Sequence, residues 1–123
     1  MIKSHIMLAT KSFLKKQSLD ALRICGGKRK NMCDVVVNEL SYTLNDDFNY
    51  NSYSPMYAPV NGRKHFVCLL PAHEAKFTSD DGYIIIDPTI KQFENKNQSF
   101  PDVAIINPHS TKYNWYDSVE IPE

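Results

Sequence analysis

Three residues of this 123-residue chain carry the chemistry of a nucleophile, a base and an orienting acid: Cys33, His65 and Asp87. A thiol beside an imidazole can pass its proton to the ring, leaving a thiolate paired with an imidazolium. A carboxylate on the other ring nitrogen fixes the tautomer and favours the charged ring. Such a trio attacks a carbonyl carbon, protonates a leaving amine and activates water. Taken singly, each residue has an ordinary structural meaning: a core cysteine, a strand-edge histidine and an Asp-Pro turn. Their order and the elements that carry them decide the matter.

Cys33 lies near the start of NMCDVVVNELSYTLNDDF, residues 31–48. Cys33, Val36, Val37, Leu40 and Leu44 follow i, i+3, i+4, i+7 and i+11, one face of a helix. Three consecutive valines favour a strand, but this period and the polar Asn38 and Glu39 predict a helix. Asn31 is its expected N-cap and Asp34 falls in its first turn. A thiol at that end meets unpaired N–H groups and the positive end of the dipole, which lower its pKa. The same N–H groups suit an oxyanion. Upstream, SLDALRIC (18–25) fits a shorter helix with Ser18 as cap, Asp20 near its positive end and Gly26-Gly27 closing it. Residues 10–17 are a candidate backward extension.

Residues 45–62 are rich in Asn, Tyr, Ser and Pro without periodicity, and read as a long surface loop. Short strands are expected at His65–Leu70, Gly82–Asp87, Asp102–Ile106 and Tyr113–Ile121, with PAHEAKFTSDDG as a polar hairpin connection between the first two. Helices followed by strands imply an α+β domain with an antiparallel sheet. If the first two strands pair, the start of one lies beside the end of the other. His65 and Asp87 then meet.

The length suits one compact domain, residues 1–123, and an apolar fraction of 42% can furnish its core. Fourteen basic and fourteen acidic residues cancel, so no overall field points to nucleic acid or an anionic membrane. The short run Lys28-Arg29-Lys30 reads as a solvated loop. No stretch approaches the ~18–20 apolar residues of a membrane span. The N-terminal MIKSHIMLATKSF lacks the apolar middle of a cleavable signal. Export would use another route, such as a secretion system, or the chain is part of something longer. Three cysteines cannot all pair, which suits a reducing cytosol.

The local sequences HFVCLL (65–70) and YIIIDPT (83–89) resemble the paired His and "DPT" strands of transglutaminase-like domains. With a cysteine at a helix start, residues 31–93 resemble the papain-like and transglutaminase-like superfamily. The resemblance implies an α+β fold in which N-terminal helices, one starting at the nucleophile, pack on a small antiparallel sheet. It carries the catalytic roles to Cys33, His65 and Asp87 and implies no cofactor. Compact members include bacterial toxin and effector domains that deamidate or transamidate glutamine in other proteins; further members are cysteine peptidases. The surroundings of the nucleophile differ, with Asn31-Met32-Cys33-Asp34 replacing the usual Gly and aromatic. Gly27-Lys28 stands where papain-like peptidases carry an upstream Gln. Asn31 or backbone amides are then the oxyanion donors. Glutamine chemistry on a protein substrate is favoured over peptide cleavage, with the 45–62 loop, including Tyr53 and Tyr57, gripping the target. A toxin or effector would also meet a cognate immunity protein or chaperone.

Two other classes use overlapping residues. Cys25, Cys33, His65 and Cys68 are potential zinc ligands, but no close Cys pair exists, and His65 and Cys68 fall on opposite strand faces. A non-catalytic binding module would use Tyr50, Tyr53, Tyr57, Trp115 and Tyr116 as interface aromatics. His73, Glu74 and His109 read as exposed loop residues, and Asp46 and Asp47 as solvated acids.

Overall fold

A computed structural model describes residues 7–123; the first six residues of the N-terminal stretch discussed above lie outside it. Helix α1 spans Lys11–Ile24. Its cap is Thr10, whose hydroxyl accepts from the Phe13 N–H at 3.1 Å. Ser18 is instead a buried mid-helix residue donating to the Leu14 carbonyl at 2.8 Å. The candidate extension is therefore the first half of the helix, and Asp20 pairs with Lys16 on the surface at 3.0 Å. Gly26-Gly27 do close it: the Gly27 N–H reaches the Leu22 carbonyl at 2.8 Å, with φ of +79° that a residue bearing Cβ rarely adopts.

Helix α2 spans Cys33–Phe48. Val36, Val37, Leu40 and Leu44 are wholly buried, so the burial of one face overrides the strand preference of the valines. Met32, not Asn31, occupies the cap position; Asn31 has a left-handed φ of 61° and turns the chain into the helix. Asn tolerates that conformation well.

Four antiparallel strands follow in the order β1-β2-β3-β4: β1 Tyr53–Tyr57, β2 Phe66–Pro71, β3 Tyr83–Asp87 and β4 Ala104–Ile106. The region 45–62 is thus not one loop. Its start completes α2, and its middle is an edge strand whose residues alternate between exposed and half-buried. Pro55 tolerates that place because an edge strand leaves one side of its backbone unpaired. Tyr50 is buried rather than displayed, with its hydroxyl on the Met7 carbonyl at 2.6 Å.

Both faces of the central strands are covered, which is why β2 and β3 read as unbroken apolar runs. Cys68, Leu70, Ile84 and Ile86 pack under the two helices. Val67, Leu69 and Ile85 pack under Ile90, Phe93, Phe100 and Tyr116 from the later, irregular chain. The strand expected at Tyr113–Ile121 is absent. A 3-10 turn at Thr111–Trp115, capped by Ser110, leads instead into Tyr116, which plugs the second layer. Glu74 also departs from expectation: it is 3% exposed and accepts from the backbone and side-chain N–H groups of Asn51 at 2.9 and 2.6 Å. The architecture is an α+β fold with N-terminal helices packed on a small open antiparallel sheet.

Candidate active site

β2 pairs with β3 so that Cys68 faces Ile86. Continuing that register sets Val67 against Asp87, with His65 two residues further on the same face. The two side chains are diagonal neighbours, within reach of an imidazole. His65 Nε2 and Asp87 Oδ2 stand 2.7 Å apart, and both side chains are wholly buried.

A buried carboxylate must be surrounded by donors, and Asp87 is. Its Oδ2 also accepts from the Tyr116 hydroxyl at 2.7 Å. Its Oδ1 accepts from the Thr89 N–H at 3.1 Å, with the Thr89 hydroxyl at 3.5 Å. This Asx-type turn is the physical content of Asp87-Pro88-Thr89: the turn that ends the strand also clamps the acid. The imidazole is held as firmly, with the Phe93 ring edge-on at 4.9 Å and the Tyr116 ring parallel at 6.3 Å.

These surroundings set the protonation. Burial pushes the His65 pKa down, but the Asp87 charge and hydrogen bond, helped by Cys33, outweigh it and lift the value to about 9. Burial pushes the Cys33 thiol up, yet hydrogen bonding to His65, the Phe66 backbone, the imidazolium charge and the Asp34 backbone leave it below its ordinary value. With Nε2 on Asp87, Nδ1 is the ring nitrogen left for the thiol. Among the described residues Nδ1 is buried and has no hydrogen-bond partner. Catalytic hydrogen bonds often tighten only once substrate binds.

Cys33 is part-buried and lines a hollow of about 230 Å³ together with Asn31, Asp34, Lys64, Phe66 and Gln92. The Asn31 N–H donates to Gln92 Oε1 at 3.4 Å. Arg29 latches the preceding loop to the turn beyond Asp87, donating to the Pro88 and Asp102 carbonyls at 3.2 and 3.4 Å. That basic run is only partly the solvated loop expected of it. Tyr57 packs its ring against Phe66, a wall of the hollow, whereas Tyr53 packs against Tyr83 at the other end of β1. The DPT turn signalled Thr89, but Gln92 had no signal in the sequence. Tyr116, expected as an interface aromatic or a strand residue, instead lies 29 residues from Asp87 and donates to it.

The other cysteines differ in kind from Cys33. Burial pushes Cys68 up to about 12, and burial with the nearby Glu39 raises Cys25. Among the described residues no three His, Cys, Asp or Glu side chains are grouped to hold a metal ion. No helix among them is long and apolar enough to cross a membrane.

Known protein families, curated proteins and solved structures were compared with the chain, and none matches. What the site does is therefore a question for its own chemistry, and the buried His65–Asp87 pair is a candidate catalytic dyad.

Proposed function

We propose that this chain is a cysteine-dependent acyl-transfer enzyme in which Cys33 is the nucleophile, His65 the acid and base, and Asp87 the orienter of His65. The observation that carries the reading is the buried His65–Asp87 pair, 2.7 Å apart, with Cys33 at the first residue of α2 lining a hollow walled by Lys64 and Phe66, the residues on either side of His65. That combination favours a thiolate–imidazolium pair near neutral pH, the state a cysteine nucleophile needs.

The Cys33 thiolate attacks the carbon of a carboxamide, forming a C–S bond and an oxyanion. In this reading the amides at the start of α2, with Asn31, support the oxyanion. Collapse of the intermediate breaks the C–N bond while the His65 proton passes to the leaving nitrogen, so ammonia departs. Neutral His65 then takes a proton from water, which attacks the thioester and releases a carboxylate and the thiolate. An incoming amine in place of water gives transamidation.

A hollow of about 230 Å³ is smaller than the roughly 300–1,000 Å³ usual for a ligand pocket. It has room for one inserted side chain, and the likeness of YIIIDPT to the transglutaminase-like strand favours a protein glutamine over a peptide bond. The resemblance to papain-like and transglutaminase-like enzymes supports the same chemistry. It adds the toxin or effector setting, with delivery into a reducing cytosol and an immunity protein or chaperone as partner. The test is ammonia release together with a gain of roughly one dalton on candidate substrate proteins. The wild-type chain should give both and Cys33→Ala neither. Equal signals from the two would refute the proposal.

A further inference from the structure

We propose that Gln92 is a further catalytic residue, donating its side-chain N–H to the oxyanion. This rests on the acyl-transfer reading above. Gln92 sits in the 3-10 turn Ile90–Phe93, just beyond the Asp87-Pro88-Thr89 clamp, and lines the same hollow as Cys33. Its Oε1 accepts from the Asn31 N–H, which orients the amide and leaves Nε2 as the free end. That Nε2 is buried and has no hydrogen-bond partner among the described residues.

A buried amide donor without an acceptor is uncommon, because nearly every such group is satisfied in a folded protein. Here the missing acceptor is one that appears only during the reaction. Terminal amide torsions are broad, and the 3.4 Å bond to Asn31 is long, so the amide is free to turn toward an acceptor formed in the hollow that Gln92 lines. The Asn31 N–H is thereby a positioning group for Gln92, since Asn31 itself is exposed at the rim. The arrangement also gives the loop before the nucleophile and the turn after Asp87 a shared task.

Two reactions of Cys33 separate this role from a structural one. Acylation by p-nitrophenyl acetate passes through a tetrahedral oxyanion, whereas alkylation by iodoacetamide does not. In Gln92→Leu, the p-nitrophenolate burst should slow by ~10²–10³-fold. Alkylation per thiolate should stay within about twofold of wild type. Gln92→Glu, which keeps an acceptor for Asn31 but loses the donor, should lose acylation too. Gln92 has no such role if acylation is unchanged, or if acylation and alkylation fall by the same factor. Wild-type Cys33 that alkylates no faster than a free thiol would instead overturn the acyl-transfer reading itself.

Discussion

Asp87→Asn keeps the size of the side chain and its place among His65, Thr89 and Tyr116 but removes the negative charge. In the wild-type chain that charge and its hydrogen bond outweigh burial and hold His65 at about 9. With the ring still buried and the charge gone, the value falls to the free imidazole's ~6.5 or below. At pH 7.5 the protonated fraction of His65 then drops from about 97% to about 9% or less, a roughly tenfold loss. Cys33 loses the imidazolium that pulls its proton off, so its alkylation at this pH slows. Acyl turnover falls much further, by ~10³–10⁴-fold, because the asparagine also presents the wrong hydrogen-bonding face to Nε2 and misorients the ring. NMR titration of the His65 ring measures the first step, and iodoacetamide labelling the second. Circular dichroism confirms that the variant is folded. A His65 ring that still titrates near 9 in Asp87→Asn would refute the electrostatic argument.

The remaining expectations concern selectivity and stability. One equivalent of iodoacetamide at neutral pH should label Cys33, with Cys25 slower and Cys68, at about 12 and wholly buried, labelled only after denaturation; peptide mapping reads the order. Tyr116→Phe removes a buried hydrogen bond to a carboxylate and should cost about 1.5–3 kcal/mol in urea unfolding. His65 should stay protonated at pH 7.5 in that variant, since Asp87 keeps its charge. Because the folded pKa of His65 is raised, its pairing stabilises the chain fully below ~6.5 and loses that effect as pH rises through about 9. The loss is of order 3 kcal/mol, and a chain with Cys25, Cys33 and Cys68 all replaced by Ala is the background in which to measure it, so that no thiol titrates in the same window. A urea midpoint that stays flat from pH 6 to 10 in that background would contradict it.

Much of the site was legible because it depends on local pattern and simple pairing. The spacing of Cys33, Val36, Val37, Leu40 and Leu44 gave the helix, and antiparallel pairing of two apolar runs brought His65 to Asp87. Edges and caps were harder. β1 lacks an apolar alternation because its neighbour β2 supplies the pairing, so YSPMY looked like loop. The cap of α1 moved from Ser18 to Thr10 because Ser18 satisfies itself on the preceding turn's carbonyl, which no local rule anticipates. Tyr116 was read as part of a strand or an interface. Its position over His65 depends on how the irregular C-terminal chain covers the far face of the sheet, and nothing near it in sequence encodes that contact.

The central claim is that Cys33, His65 and Asp87 work as one unit, and the pH dependence of Cys33 alkylation tests it most directly. Cys33 should alkylate as a thiolate at pH values below the ~8.5 of a free cysteine, with that acidic limb lost in Asp87→Asn. A single rise centred near ~8.5 in both chains would contradict it.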